Sequence, residues 1–167
     1  MNLFDVKGKK AIVTGAAQGL AYGMAEGLME SGVEVCIMDI SPKTPDVVEA
    51  FRQKGFRCHG VVVDLGKEEE RKEGFAKAVE AMDGRLDIIV NAAGIQKRHF
   101  SEEFPLSDWN AVINVNLTSV FHLCQLAGQQ FIKQKSKGKI INIASMLSFF
   151  GGYTVPAYAA SKGGVAQ

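Results

Sequence analysis

The 167-residue chain carries 19 basic and 18 acidic side chains, and its formal net charge is +1. This balance provides no basic surface for nucleic acid and no excess of cations for an anionic membrane. The first residues contain no basic stretch that leads into an apolar run, and no window approaches 18 uninterrupted apolar residues, so we expect a cytoplasmic protein without a secretory signal or a membrane span.

Short β-branched runs alternate with longer segments of helical periodicity along the chain. In chain order the pattern predicts a strand at 10–14, a helix at about 19–31, a strand at 33–39, a helix at about 46–54, a strand at 57–64, a helix at about 67–82, a strand at 86–91, a helix at about 107–135, a strand at 139–145 and a helix from Pro156 onward. This alternation predicts an α/β fold, a Rossmann-like doubly wound parallel sheet with helices on both faces. The length suits a single domain, 1–167. The three cysteines lack CxxC spacing, so neither a disulfide framework nor a metal site is expected.

Each predicted strand ends next to a residue that is suited to binding or chemistry. These residues are Gly15, Asp39, Asp64, Asn91 and Ser145. Ligands of open parallel sheets bind beyond the carboxyl ends of the strands. The five positions together therefore predict one ligand site at this edge of the sheet.

A glycine-rich turn follows the first strand, with the sequence Thr14-Gly15-Ala16-Ala17-Gln18-Gly19-Leu20-Ala21. Gly15 permits a tight turn, and Gly19 lets backbone amides approach a pyrophosphate at the amino end of the next helix. We therefore predict that Gly15, Gln18, Gly19 and Leu20 bind a dinucleotide, while an ordinary glycine-rich turn is the alternative.

The carboxylate of Asp39 stands 20 residues after Gly19, at the end of the second strand. A carboxylate there accepts hydrogen bonds from the hydroxyls of the adenosine ribose and repels a 2′-phosphate. Gln18, Ile40 and Ser41 supply no cation for such a phosphate. NAD rather than NADP is therefore the predicted cofactor, in contact with Asp39 and Ile40.

Two further strand ends complete the predicted cofactor site. Asp64 and Leu65 are suited to hold the adenine edge, and a plain turn is the alternative. The segment Asn91-Ala92-Ala93-Gly94 combines small residues with one amide, which suits close backbone approach to a flat ligand, and a tight turn is the alternative.

Tyr158 and Lys162 lie four residues apart on the last predicted helix, so they share one face. A phenol serves as a base near neutral pH only where cations favour the phenolate, and the Lys162 ammonium and a cationic nicotinamide would both do so. Ser145 precedes Tyr158 by thirteen residues and is placed to hold the substrate oxygen. All three are predicted to be catalytic; Tyr158 and Lys162 are also predicted to contact the cofactor.

A resemblance to the short-chain dehydrogenase/reductase family covers essentially the whole chain. It rests on the segments Thr14-Gly15-x-x-x-Gly19-x-Ala21, Asn91-Ala92-Ala93-Gly94, Asn116, Ser145 and Tyr158-x-x-x-Lys162. The resemblance implies that Tyr158 is the catalytic acid/base, that Ser145 orients the substrate oxygen and that Lys162 binds the nicotinamide ribose. It also implies that Asn116 holds a water in a proton relay, whereas the residues alone would make Asn116 a helix-surface amide.

Members of this family normally continue through two further strands and a substrate-covering segment, whereas this sequence stops at Gln167, within the catalytic helix. The resemblance therefore implies a C-terminally truncated fold in which the strand at 139–145 has an unpaired edge. We expect another chain or residues beyond Gln167 to support this end, or the end to be poorly ordered. The family generally forms tetramers, which implies a homo-oligomer.

Within the family, the segments 94–99 and 143–152 are similar to sugar-acid dehydrogenases that act on 2-deoxy-D-gluconate or 2-dehydro-3-deoxy-D-gluconate. Lys97, Arg98 and His99 follow the carboxyl end of the fourth strand, where a cation is placed to meet a sugar carboxylate, and a solvated basic loop is the alternative. Gln96 and Arg98 are predicted to bind the substrate. Gluconate 5-dehydrogenases and 3-oxoacyl-carrier-protein reductases are rival assignments, although the latter usually prefer NADP. A fragment that binds NAD without turnover is also left open.

Overall fold

A computed structural model describes residues 5–167 and contains every strand and helix that the sequence pattern predicts. The elements are β1 (Lys10–Thr14), α1 (Gly19–Glu30), β2 (Glu34–Asp39), α2 (Thr44–Gln53), β3 (Cys58–Val62), α3 (Glu68–Ala81), β4 (Ile88–Asn91), α4 (Leu106–Ile113), α5 (Ser119–Lys133), β5 (Lys139–Asn142) and α6 (Pro156–Ala166). The pattern missed two short 3₁₀ helices, Ser101–Glu103 and Met146–Ser148.

The five strands form one parallel sheet in the order β3-β2-β1-β4-β5. Strand β1 lies in the middle of the sheet, β2 and β3 extend the sheet to one side, and β4 and β5 extend it to the other. This order confirms the predicted doubly wound fold, and its switch point lies between β1 and β4, where ligands bind in such sheets.

Strand β2 shows why helices cover both faces of the sheet, since all six of its residues are buried. Side chains alternate across a strand. Val35 and Ile37 therefore pack in one core cluster, with residues of α1 and α2. Cys36 and Met38 pack in the other, with residues of α3 and α5.

Two strands end earlier than the sequence pattern predicts. Strand β3 ends at Val62, whose partner Asp39 is the last residue of β2, and β5 ends at Asn142, whose partner Asn91 is the last residue of β4. A strand ends where its neighbour no longer offers backbone partners. Asp64 and Ser145 consequently lie in the loops beyond the strands.

A single long helix was predicted at about 107–135, and the structure divides it with a π-helical turn at Asn114–Thr118 between α4 and α5. By length and composition alone, Leu106–Lys133 would suffice to cross a membrane, because an 18-residue window has a mean hydropathy of 1.2. This is weak evidence, since core helices of soluble proteins meet the same criteria. Here Leu123 and Ala127 of α5 are buried in the sheet core.

Strand β5 forms one edge of the sheet, and all four of its residues are exposed. Ile140 and Ile141 are 40% and 45% exposed. Among the described residues, only β4 pairs with this strand.

Candidate active site

The glycine-rich turn between β1 and α1 lies directly against the loop that follows β4. Gly15 has a φ of +72°, and a Cβ added to it would lie 2.7 Å from the Cα of Ala93. The hydroxyl of Thr14 strengthens this contact, because it accepts hydrogen bonds from the amides of Ala92 (3.0 Å) and Ala93 (3.1 Å). Sequence analysis assigned no role to Thr14, and a hydroxyl residue just before the first glycine was the available signal.

The carboxylate of Asp39 is fixed toward the glycine-rich turn. Its Oδ2 accepts a hydrogen bond from the amide of Ala17 and its Oδ1 accepts one from the amide of Ser41, both at 2.9 Å. The residue is buried, yet it also lines a cavity. The backbone therefore presents a preoriented negative charge to whatever occupies that cavity.

This cavity of about 450 Å³ lies beyond the carboxyl ends of the first four strands. The predicted cofactor residues that line it are Gly15, Gln18, Gly19, Leu20, Asp39, Ile40, Asp64, Leu65, Ala92, Ala93 and Gly94. The volume and the elongated set of loops suit an extended ligand rather than a small ion. Among residues 5–167, no group of three or more His, Cys, Asp or Glu side chains is arranged to hold a metal.

Asn91 does not line the cavity but lies beneath it, almost completely buried. Its Nδ2 donates to Oδ1 of Asn142 (2.8 Å) and approaches Sγ of Cys124 (3.5 Å). Its Oδ1 is buried without a hydrogen-bond partner. In this structure the amide of Asn91 ties β4 to β5.

Lys162 and Tyr158 share one face of α6, as their spacing predicts. Lys162 is only 4% exposed, its Nζ donates to the carbonyl of Ile143 (2.6 Å), and Nζ lies 5.8 Å from the centroid of the Tyr158 ring. Burial lowers the pKa of the Lys162 ammonium below its ordinary value. The site therefore holds a poorly solvated ammonium next to a phenol.

Ser145 stands in the loop after β5 and caps the short helix Met146–Ser148. Its Oγ accepts a hydrogen bond from the amide of Leu147 (3.2 Å), and its own amide donates to Oγ of Ser148 (3.3 Å). Ser148 in turn donates to the carbonyl of Lys162 (2.7 Å). The loop that presents Ser145 is thus fastened to α6. Sequence analysis missed Ser148, although two serines spaced as a capping box were the available signal.

Asn116 lies in the π-helical turn and is fully buried rather than on the helix surface. Its Nδ2 donates to the carbonyl of Ile95 (2.9 Å) and to Oγ of Ser161 (3.2 Å), and its Oδ1 accepts from the amide of Ile95 (2.8 Å). Ile95 lines the cavity, and Ser161 directly precedes Lys162. Asn116 therefore joins the wall of the cavity to the helix of Tyr158.

The basic loop after β4 divides into paired and unpaired side chains. Asp108 of α4 lies 3.7 Å from Nζ of Lys97 and 2.7 Å from Nε2 of His99. Arg98 has no ion-pair partner within residues 5–167, and it lines a separate pocket with His99 and Glu103. Gln96 is exposed. Arg98 is consequently the cation of this loop that remains available to an anionic ligand.

Comparison with known proteins relates almost the whole chain to one family of enzymes. A family model for short chain dehydrogenases matches residues 9–167. The chain is 43% identical to 2-dehydro-3-deoxy-D-gluconate 5-dehydrogenase of Dickeya dadantii, over 99% of this chain and 64% of that protein. It is 38% identical to 5-keto-D-gluconate 5-reductase of Escherichia coli, over 98% of this chain and 64% of that protein.

A solved structure is also similar. A gluconate 5-dehydrogenase from Burkholderia cenocepacia, in complex with NADP and tartrate, superposes with a TM-score of 0.89 at 36% identity, over 97% of this chain and 63% of that one. The chain thus spans about 64% of the length of the curated relatives that it matches.

Proposed function

The chain belongs to the short-chain dehydrogenase family, and from this premise we propose that it is an NAD-dependent oxidoreductase that interconverts a secondary alcohol and a ketone on a sugar acid. The supporting observation is the hydrogen-bonded connection through Asn116, which links a dinucleotide-sized cavity at Ile95 to the helix that carries Tyr158 and Lys162. A binding protein without turnover has no need of a buried ammonium beside a phenol.

The cavity fits a nicotinamide dinucleotide. The absence of a Cβ at Gly15 leaves backbone close to backbone, and the amino end of α1 faces the cavity through Gly19 and Leu20, where a pyrophosphate would be held. When bound, the nicotinamide supplies the group that accepts or gives the hydride.

The side chains of α6 and its neighbouring loop would manage the proton. The phenolate of Tyr158 would take the proton of the substrate hydroxyl during oxidation, and the phenol so formed would return a proton to the substrate oxygen during reduction. The ammonium of Lys162 stabilises the phenolate form because its low exposure leaves the charge weakly screened by water. The hydroxyl of Ser145 accepts from Leu147, so its own proton is available to the substrate oxygen. The amide of Asn116, which is bonded to Ile95 and to Ser161 of the same helix, would support the proton relay.

NAD is the proposed cofactor because of Asp39. Its carboxylate is held by two backbone amides, so it cannot turn away from a 2′-phosphate. The neighbouring Ile40 is exposed and uncharged, and the lining of the cavity contains no arginine or lysine. The NADP in the Burkholderia structure belongs to that protein.

The proposed substrate is a sugar acid of the 2-dehydro-3-deoxy-D-gluconate or 2-deoxy-D-gluconate type. Two features support it. The relatives at 43% identity act on 2-dehydro-3-deoxy-D-gluconate by name, and Arg98, which has no ion-pair partner within residues 5–167, offers a guanidinium that suits a carboxylate. Gln96 is an exposed residue of the same loop, and we propose that it contacts the sugar hydroxyls.

We also propose that the protein works as a cytoplasmic homo-oligomer. The exposed apolar side chains Leu106, Phe121 and Ile132 recur along the long helix, and a surface of this composition is suited to pack against another copy. Sedimentation velocity would test the assembly, and a monomer at all concentrations would refute it.

A spectrophotometric assay tests the enzyme proposal directly. Purified protein is mixed with NAD or NADP and a panel of six-carbon sugar acids, including gluconate, together with neutral sugars and a 3-oxoacyl thioester as controls. We expect NAD-dependent turnover with one or more deoxy sugar acids. Turnover confined to acyl-carrier thioesters, or NADH binding without turnover on any substrate, would overturn the proposal.

A further inference from the structure

The loop Asp64–Gly66 between β3 and α3 borders the cavity, which Asp64 and Leu65 line. Side chains from two separate helices hold the carbonyl oxygens of this loop. Arg71 of α3 donates through Nη1 to the carbonyl of Leu65 (2.5 Å), and Asn114 of the π-helical turn donates through Nδ2 to the carbonyl of Gly66. The loop is therefore held from two directions.

Arg71 is an unusual residue to find in this place. It is only 3% exposed, and it has no carboxylate within ion-pair distance in the described part of the chain. Its Nε donates instead to Nδ1 of His122 on α5 (3.2 Å). A buried guanidinium without an anionic partner is costly, so its hydrogen bonds to the loop and to His122 must compensate for lost hydration. The fixed position of the Leu65 carbonyl is the observable result.

The π-helical turn contacts two segments of the cavity wall with three consecutive residues. Asn114 binds the carbonyl of Gly66, Val115 lines the cavity, and Asn116 binds Ile95. The packing at Gly66 is close, since a Cβ there would lie 3.0 Å from Oδ1 of Asp64 and 3.5 Å from Cγ2 of Val115. A shift of the loop would therefore disturb the turn that also holds Ile95.

We propose that Arg71 and Asn114 are positioning residues that hold the loop Asp64–Gly66 in the form that receives the adenine ring, and so connect adenine binding to the turn that carries Asn116. This inference rests on the proposed dinucleotide-binding function. A loop that is ordered before the ligand arrives avoids the loss of conformational freedom on binding, which raises affinity without adding a contact.

Two ligand fragments test the inference: AMP, which contains the adenine, and nicotinamide mononucleotide, which does not. Their dissociation constants are measured by ligand-observed NMR for the unmodified protein and for the Asn114→Ala and Arg71→Lys variants. The matched controls are Asn110→Ala, in an exposed position of α4, and Lys72→Ala, next to Arg71 but on the surface. We expect AMP to bind about 5-fold more weakly to both variants, as loss of one hydrogen bond predicts. Binding of nicotinamide mononucleotide should weaken less than that of AMP in the two variants, because it is affected only through the turn that carries Asn116, and it should be unchanged in the two controls.

The outcomes separate the inference from the function on which it rests. Unchanged AMP affinity in Asn114→Ala and Arg71→Lys, or equal weakening of both fragments, would overturn the inference and leave the dinucleotide proposal intact. Failure of the unmodified protein to bind AMP or NADH would instead overturn the dinucleotide proposal. If Asn114→Ala does not fold, Asn114→Ser is measured by the same criterion, since its shorter side chain does not reach the Gly66 carbonyl.

Discussion

The first and second halves of the chain position their functional groups in different ways. In the first half, β2 is buried along its whole length, and a backbone turn at Gly15 sets the shape of the cavity. In the second half, β5 is exposed along its whole length, and Ser148, Asn116 and Lys162 hold the site together through hydrogen bonds between distant segments. Substitutions in the first half should therefore act mainly through packing and cofactor affinity, and substitutions in the second half mainly through the reaction.

The sharpest test of this comparison is Tyr158→Phe. Loss of the phenolic hydroxyl removes the acid/base, so turnover should fall by about 1,000-fold, within the range for general acid–base catalysis. The affinity for NADH, measured by fluorescence titration, should change little because the cavity residues of the first half are intact. Tyr22→Phe is the matched control, since Tyr22 stacks on Phe51 in the core beside α1. Near-normal turnover in Tyr158→Phe would refute the assigned role.

A substitution in the turn of the first half should lower the stability of the fold through packing. Gly15→Ala places a Cβ 2.7 Å from the Cα of Ala93 in a residue whose φ is +72°. An alanine in this left-handed backbone conformation costs about 1–2 kcal/mol, and overpacking against Ala93 costs about 1–3 kcal/mol. Together they should lower the free energy of unfolding by roughly 3 kcal/mol. Urea denaturation measures this loss.

Gly128→Ala is the control for that measurement. Gly128 lies within α5, and a Cβ there meets no atom within 4 Å, so this change should raise stability by up to about 1 kcal/mol. Equal stabilities of the two variants would contradict the view that the turn depends on backbone contact.

The difference between the two halves also explains which structural features could be predicted from the sequence. Periodicity predicted every strand and the regions of all the α-helices, with α4 and α5 joined as one, because β1, β2 and β4 have apolar, buried central residues. The spacing of Tyr158 and Lys162 placed them correctly on one face. The ends of β3 and β5 were predicted two to three residues too late, because a strand end depends on its neighbour, which local sequence does not specify. The π-helical turn, the buried position of Asn116 and the roles of Ser148 and Asn114 depend on contacts between segments far apart in sequence, so periodicity has no access to them.

The preference for NAD over NADP provides a further test of the first half, with a smaller expected effect. Asp39→Ala should narrow the preference for NAD over NADP by about 10-fold, since it removes the negative charge that repels a 2′-phosphate. Asp39→Asn separates charge from geometry, because its amide oxygen still accepts from Ala17 or Ser41. Michaelis constants for both cofactors provide the measurement. An unmodified protein that uses both cofactors equally would show that Asp39 does not select between them.

The basic loop tests whether the second half selects the substrate. Arg98→Ala should raise the Michaelis constant for sugar acids about 5-fold more than for neutral sugars, as expected for a partly solvated charge-assisted pair. Lys97→Ala is the control, because Lys97 already pairs with Asp108. If Arg98→Ala affects acids and neutral sugars equally, Arg98 belongs to the solvated surface.

The smallest effect is expected where the two halves meet, at His122 of α5. Burial, followed by the charge of Arg71, lowers the pKa of His122 below 6.5. The Nδ1 atom accepts a hydrogen bond from Nε of Arg71, so the folded protein favours the neutral imidazole. As pH falls, the unfolded chain takes up this proton before the folded chain does. The contribution of His122 to the free energy of unfolding is therefore complete above the ordinary pKa and declines as pH falls through it.

Urea denaturation at about pH 7.5 and about pH 5.5 tests this coupling, with His122→Asn as the reference. Asparagine can still accept a hydrogen bond from Arg71 but does not titrate, so the difference between the two proteins isolates His122 from the other histidines. We expect the unmodified protein to lose more stability on acidification than His122→Asn does. Identical losses would mean that protonation of His122 does not disturb Arg71, and that the two halves are not coupled at this contact.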